Sequence, residues 1–306
     1  MVRHHLPVAR AAELLRDAFG APVSTGTVVA IVREGAGRLE TVLAAIRQRL
    51  TGSDVVHADE SGLRVQASLN WVHSNSTDTL TLYHLDRRRG TAAMDAMGVL
   101  KHLTGVLVHD DWAPYRKYTD VSHALCNAHH ARELEAAAET GGQPWASDMI
   151  TLLSDTWQLV LAAKATGQSR LSEAELEHIR AAYRVIISAG QTANPPPPPT
   201  GRKGRRKRTK AANLLSRLDI YGDDVLRFAH DFRVSYDNNL AERDIRMVKV
   251  QQKVSGGFRT FEGAEAWLAI RSYLSTAAKN GVNLFDALQR LCAGDPWTPA
   301  ALPAGP

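Results

Sequence analysis

Three acidic residues stand where a carboxylate can meet a metal ion. Asp59 closes a short apolar run in His57-Ala-Asp-Glu-Ser-Gly, and Asp110 closes another in Val108-His-Asp-Asp-Trp. Glu242 sits in Asp237-Asn-Asn-Leu-Ala-Glu-Arg-Asp-Ile-Arg. The separations are 110 − 59 = 51 and 242 − 110 = 132 residues, so only a fold can bring the three together. Carboxylate oxygens are the ligands that Mg²⁺ or Mn²⁺ take. Two such ions about 4 Å apart can activate a water and stabilise the leaving oxygen of a phosphodiester. Each acid taken singly is equally an ordinary solvated loop residue, and spacing does not separate the two readings.

The surroundings of Glu242 add weight to the metal reading. Ala241, Ile245 and Val248 form an apolar helical stripe, with Asp237 or Asn238 available to cap the helix. Glu242, Arg246, Lys249 and Lys253 fall on a neighbouring face at steps of four, three and four, and Arg243 adds a further cation. A carboxylate beside a row of cations suits metal and DNA phosphate on one surface. The plainer alternative is an i,i+4 ion pair on a solvated face, worth tenths of a kcal/mol, ~0.3. Downstream, Ser255-Gly-Gly-Phe-Arg-Thr can bring backbone N–H groups and Arg259 to a phosphate. No Gly-Lys-Ser/Thr follows it, which excludes a nucleotide-hydrolase phosphate loop.

Charge is concentrated, not spread. Residues 202–210 hold seven basic groups (Arg202, Lys203, Arg205, Arg206, Lys207, Arg208, Lys210) and no acid, so a net charge of +5 leaves 5 − 7 = −2 elsewhere. Phosphate binding is therefore a local expectation for that tract. Cys126-Asn-Ala-His129-His130 has the form of half a zinc site, but no second half is evident, and Trp112 lies close enough to Asp110 to stack on a base. The only other cysteine is Cys292, too few for a disulfide framework, which points to a reducing cytosol. No apolar run approaches the ~20 residues needed to span a bilayer, and the start MVRHHLPVAR lacks a secretory core.

The elements that must position these residues can be read from periodicity. Residues 8–19 form an amphipathic helix, and Gly20-Ala-Pro breaks it. Ser24-Thr-Gly-Thr starts a second, giving a helix-turn-helix-like outline, and a third helix spans about 37–50. A short strand at 55–58 is expected to end at Asp59, followed by strands at 69–74 and 79–84. A helix over 91–103 is stopped by Gly105, and a buried strand at 106–108 leads to Asp110. Helices follow at about 129–139, 145–165 and 172–189. After the proline run 195–199 and the basic tract, helical periodicity runs from 211 past Leu291. The class is α/β, a mixed sheet packed by helices.

In this order the segments resemble the insertion sequence 66 family of bacterial transposases. The likeness is carried by His57-Ala-Asp-Glu-Ser-Gly, Trp71-Val-His, Val108-His-Asp-Asp-Trp-Ala-Pro-Tyr, Cys126-Asn-Ala-His-His-Ala-Arg and Asp237-Asn-Asn-Leu-Ala-Glu-Arg-Asp-Ile-Arg. Lys253-Val-Ser-Gly-Gly-Phe-Arg and Ile270-Arg-Ser-Tyr-Leu-Ser-Thr extend it, so that it covers about residues 5–292. The resemblance implies a ribonuclease-H-like mixed sheet with flanking helices and a helical insertion before the last acid. It divides the chain into an N-terminal helical segment 1–50, a catalytic domain 51–292 and a tail 293–306. The insertion spans about 130–235 and includes the linker 194–210. It implies two Mg²⁺ or Mn²⁺ ions on Asp59, Asp110 and Glu242, cleavage at transposon ends and 3′-hydroxyl strand transfer into target DNA.

The implied partners are terminal inverted repeats, target DNA, a second copy of the chain and small accessory proteins of the element, at the nucleoid of a bacterial cytoplasm. Asp111 stands where the family usually has glycine, which is why Asp110 is preferred to it. Glu60, beside the first acid, is expected to hydrogen-bond locally. Family members carry further N-terminal segments. This start therefore reads as a shortened member, a fragment or a truncated gene, with recognition of element ends impaired. A non-catalytic DNA-binding relic or regulator and a ribonuclease-H-like nuclease are the alternatives.

Overall fold

Turn and cap chemistry set the first elements. A computed structural model describes residues 1–195 and 208–300. It opens with helices α1 (Val8–Phe19), α2 (Thr25–Gly37) and α3 (Glu40–Thr51). Ser24 starts α2, its Oγ accepting the Thr27 N–H at 3.0 Å. Strands β1 (Val55–Val65), β2 (Ser68–Ser76) and β3 (Thr81–Asp86) follow, then α4 (Thr91–Met97) and β4 (Val106–His109). After β5 (Ser122–Leu125) come α5 (Asn127–Gly141), α6 (Pro144–Ala165), α7 (Glu173–Ala193) and α8 (Lys210–Ile220). The short α9 (Gly222–Val225) and α10 (Arg227–His230) precede α11 (Asn239–Ser255), α12 (Phe261–Lys279) and α13 (Leu284–Ala293). The described strands form one sheet in the order β3-β2-β1-β4-β5, flanked by helices, the α/β class expected of a ribonuclease-H-like core. None of the described helices is long and apolar enough to cross a membrane.

The chain divides into two units. One comprises Met1–Leu107, Trp112–Val121 and Asn239–Pro306; the other comprises Val108–Asp111 and Ser122–Asn238. In the first, β1, β2 and β3 form an antiparallel meander in which His57, Ser76 and Thr81 stand opposite one another, as do Asp59, Ser74 and Tyr83. Residues directly opposite share a face, so Asp59 lies on the same side as Ser76 and Thr81, while Glu60, His73 and His84 share the other. β3 is an edge strand, and α12 closes it with hydroxyls. Ser272 Oγ accepts the Tyr83 N–H at 3.0 Å, and Thr276 Oγ1 bonds both the N–H and the carbonyl of Thr81. This accounts for two fully buried polar side chains on α12, and it removes an edge that could pair with another chain.

In the second unit, Trp145, Leu153, Val160, Leu176, Ile187, Leu214 and Phe228 are buried side chains of α6, α7, α8 and α10. Ser172 and Glu175 form a reciprocal capping box at the start of α7.

Four expectations change. β1 does not end at Asp59 but runs on to Val65, because Gln66 and Ala67 at φ 52° and 61° make a two-residue hairpin that keeps β1 paired with β2. The helix expected over 91–103 ends at Met97, where Gly98 adopts φ 75°, a conformation costly for other residues. β5 was not anticipated, its four residues being too few for a clear alternation. Helical periodicity beyond 211 is interrupted between His230 and Asn239, where the side chain of Asp231 takes the guanidinium of Arg233 at 2.8 Å. Most of the proline run, with Arg202, Lys203, Arg205, Arg206 and Lys207, lies outside the described residues.

Candidate metal and nucleic-acid site

In the first unit, α11 begins at Asn239, directly after the two candidate caps, and buries Ala241, Ile245 and Val248, the stripe that its spacing predicts. A polar clamp fixes its position on the sheet. Asp244 Oδ2 accepts from Ser76 Oγ at 2.6 Å, Thr81 Oγ1 at 2.9 Å and Lys279 Nζ at 2.7 Å. The Tyr83 hydroxyl donates to the Asp244 carbonyl at 2.8 Å. Burial, reinforced by the Asp244 carboxylate, holds that hydroxyl far above its usual pKa, so it stays a donor. Five residues further along, Lys249 Nζ donates to the Gly62 carbonyl of β1 at 3.1 Å.

These contacts give the helix a direction. Asp244 sits at the level of Ser76, opposite His57, and Lys249 at the level of Gly62, so α11 runs along β1 in the same sense. Asp59 shares with Ser76 and Thr81 the face of the sheet on which α11 lies, and Glu242 stands two residues before Asp244 on that helix. Asp59 Oδ1 accepts the Glu60 N–H at 2.8 Å, and Ser74 Oγ donates to the Asp59 carbonyl at 3.2 Å, which fixes the backbone here.

The other face of β1 is built for packing. Glu60, its side chain only 2% exposed, accepts from Arg89 at 2.5 Å and from the Tyr115 hydroxyl at 2.6 Å, the local bonding expected of it. The Arg89 guanidinium lies between two indoles, 4.8 Å from the centre of Trp71 and 4.0 Å from that of Trp112. Trp112 thus takes a cation on its ring, and Tyr115 meets it edge-on. Packing of this kind and stacking on a base were the two roles that the sequence left open for that ring.

The cationic row of α11 is exposed at Arg243, Arg246, Lys249 and Lys253, with Glu242 half-buried among them. In the loop after α11, Gly257 comes so close to the Arg64 carbonyl that a Cβ there would lie 2.8 Å from it. The Phe258 N–H is used on that same carbonyl at 2.9 Å, so it is committed to β1, while Arg259 is exposed.

In the second unit, Asp110 follows β4 directly, as expected, and is half-buried. His109 Nε2 meets His123 Nδ1 at 2.9 Å, and its Nδ1 contacts the Asp110 carbonyl. Asp111 is held by Arg217 at 3.3 Å, and Arg217 also pairs with Glu133 at 2.6 Å. Cys126 is buried before α5, its Sγ accepting the Asn238 N–H at 3.2 Å. His130 meets Asn127 at 3.1 Å. Of the basic tract, Arg208 donates to Ser216 at 3.3 Å and Lys210 opens α8.

Sequence reasoning missed Asp244, Lys279, Ser76 and Thr81, although Asp244 lies inside the motif Asp237-Asn-Asn-Leu-Ala-Glu-Arg-Asp-Ile-Arg. The signal was weak, since one more acid among cations on a helix looks solvated. A search of curated proteins gives no match. The profile described as the transposase IS66 family matches residues 2–266, a span that holds every acid discussed above. The chain belongs to the transposase IS66 family.

Proposed function

We propose that this chain cuts and joins DNA at the ends of a mobile element, with Asp59, Asp110 and Glu242 as ligands of two Mg²⁺ or Mn²⁺ ions. The observation that supports the reading best is the packing of α11, with Glu242 beside an exposed row of arginines and lysines, on the face of the sheet to which Asp59 belongs. Carboxylate oxygens of this type are the ligands that such ions take. Asp110 enters from its place directly after β4. When bound, ions of this kind make a water nucleophilic at neutral pH and stabilise a leaving oxygen.

Arg243, Arg246, Lys249, Lys253 and Arg259 bind backbone phosphates and set the scissile bond against the carboxylates. Arg208, Lys210 and the rest of the basic tract supply further phosphate contacts. Water attacks the phosphorus at the element end, the P–O3′ bond breaks and the 3′ oxygen takes up a proton. That hydroxyl then attacks a target phosphodiester and displaces the target's own 3′ oxygen. Transfer of two ends calls for a homodimer in the DNA complex.

The test is nicking of a duplex bearing the element's terminal inverted repeats, with and without Mg²⁺. Asp59→Asn, Asp110→Asn and Glu242→Gln are each expected to abolish it, and full activity in all three overturns the proposal. Salt-sensitive binding without metal-dependent cleavage by the unaltered chain points to the non-catalytic DNA-binding alternative. Preferential cleavage of RNA–DNA hybrids points to a nuclease.

A further inference from the structure

We infer that Asp244 and Lys279 are a positioning pair, which fixes the placement of α11 on the sheet and thereby the position of Glu242 two residues away; the inference rests on the function proposed above. The pair touches neither metal nor DNA in this reading.

Four elements meet at one carboxylate oxygen. Asp244 Oδ2 takes Ser76 from the end of β2, Thr81 from the start of β3 and Lys279 from the end of α12. Lys279 spends its other two protons on the Thr77 and Leu80 carbonyls, at 2.8 and 3.0 Å, in the turn between β2 and β3. The ammonium therefore has all three donors placed, and the carboxylate is 14% exposed against 17% for the lysine. A half-dry ion pair with every proton assigned tolerates little sliding, because a shift of one helical step breaks several bonds together. The apolar stripe Ala241, Ile245 and Val248 lacks that property, since hydrophobic contact is non-directional. The clamp sits two residues from Glu242, within the first turn and a half of α11.

The experiment compares three single variants of the full chain, Asp244→Asn, Thr81→Val and Tyr273→Phe. Tyr273 bonds the Ala287 carbonyl and the Trp297 N–H, so its variant loses buried hydrogen bonds of α12 away from the clamp. Mn²⁺ affinity is read by calorimetry without DNA, DNA affinity by a binding assay in EDTA, and turnover at saturating Mn²⁺ and DNA. Asp244→Asn is expected to weaken Mn²⁺ binding and to lower turnover, each by about tenfold, as groups that orient metal ligands typically do. DNA affinity should not change. Thr81→Val, which removes one donor and leaves the ion pair, should shift both quantities in the same direction by less. It also keeps the inference testable if Asp244→Asn does not fold.

Tyr273→Phe should alter thermal stability alone. Folded Asp244→Asn or Thr81→Val protein with unchanged Mn²⁺ affinity and turnover overturns the positioning role, as does an equal loss in Tyr273→Phe. Failure of the underlying function is a separate result, seen as full cleavage by Glu242→Gln in the same assay.

Discussion

Two faces of α11 carry acids two residues apart, and they are built in opposite ways. Asp244 turns into the sheet and α12, where three side chains donate to one of its oxygens. Glu242 lies on the neighbouring face, half-buried, between Arg243 and Arg246 at the surface. The first arrangement places every donor and leaves a ligand no room. The second keeps a carboxylate near solvent and beside cations that can take phosphate. Proximity to charge therefore does not distinguish the two acids; what sets Asp244 apart is that donors from three other elements fix it against the sheet. The faces of β1 repeat the contrast. Glu60 is enclosed by Arg89 and Tyr115, while Asp59 faces the α11 side with its oxygen on its own neighbour's N–H.

The sharpest break in this comparison is to neutralise each acid in turn. Glu242→Gln should lower cleavage by more than about a hundredfold, beyond the range of groups that only orient a ligand, while the melting temperature hardly moves. Asp244→Ala should do the reverse in kind. It strands Lys279 in a largely dry site and costs about 3 kcal/mol of folding free energy, measured by urea titration. Lys279→Met should cost less, since Ser76 and Thr81 still serve the carboxylate. A Glu242 variant that unfolds, or an Asp244→Ala protein as stable as its parent, would erase the distinction.

The half of this comparison that faces outward was legible in the sequence, and the half that faces inward was not. The stripe Ala241, Ile245 and Val248 repeats at helical spacing within one segment, so burial of that side and exposure of Arg243 and Arg246 followed from local pattern. The end of β4 before Asp110 was equally local. The clamp joins Asp244 to residues 168, 163 and 35 positions away, and each of them reads alone as an ordinary surface polar group. Asp59-Glu-Ser-Gly has the composition of a turn, and only its pairing with β2, enforced by the hairpin at Gln66 and Ala67, makes it strand. Ser272 and Thr276 became intelligible only once β3 proved to be an edge.

The face of the sheet away from Asp59 should report acid sensitivity. Burial, aided by the neighbouring His84, lowers the pKa of His73 to about 4. Its folded value lies below the unfolded one of about 6.5, so between those pH values the unfolded chain binds more protons. The stability it contributes is full above about pH 6.5 and falls as pH drops towards 4, by roughly 3 kcal/mol at most. His73→Gln should flatten urea-derived stability across that window, and a slope identical to the parent's would refute the assignment. Thr81→Val and Ser76→Ala, each removing one hydrogen bond to Asp244, should cost about 1 kcal/mol apiece in the same measurement.

The smallest effect tests the outer face of α11. Lys253 and Arg246 are exposed and lie on the row that the proposal gives to phosphates. A phosphate contact releases counterions, so removing one should reduce the slope of log affinity against log salt by about one, for any DNA sequence. Arg246→Ala and Lys253→Ala should each do so without changing stability, because surface side chains of this kind contribute within about 0.5 kcal/mol. Asp244→Asn, on the inner face, should leave the slope where it was. If instead the inner variant changed the slope and the outer ones did not, the helix would be presenting the wrong side to DNA. The assignment of Glu242 to the reacting phosphate would then fail with it, because Glu242 belongs to the same outer row.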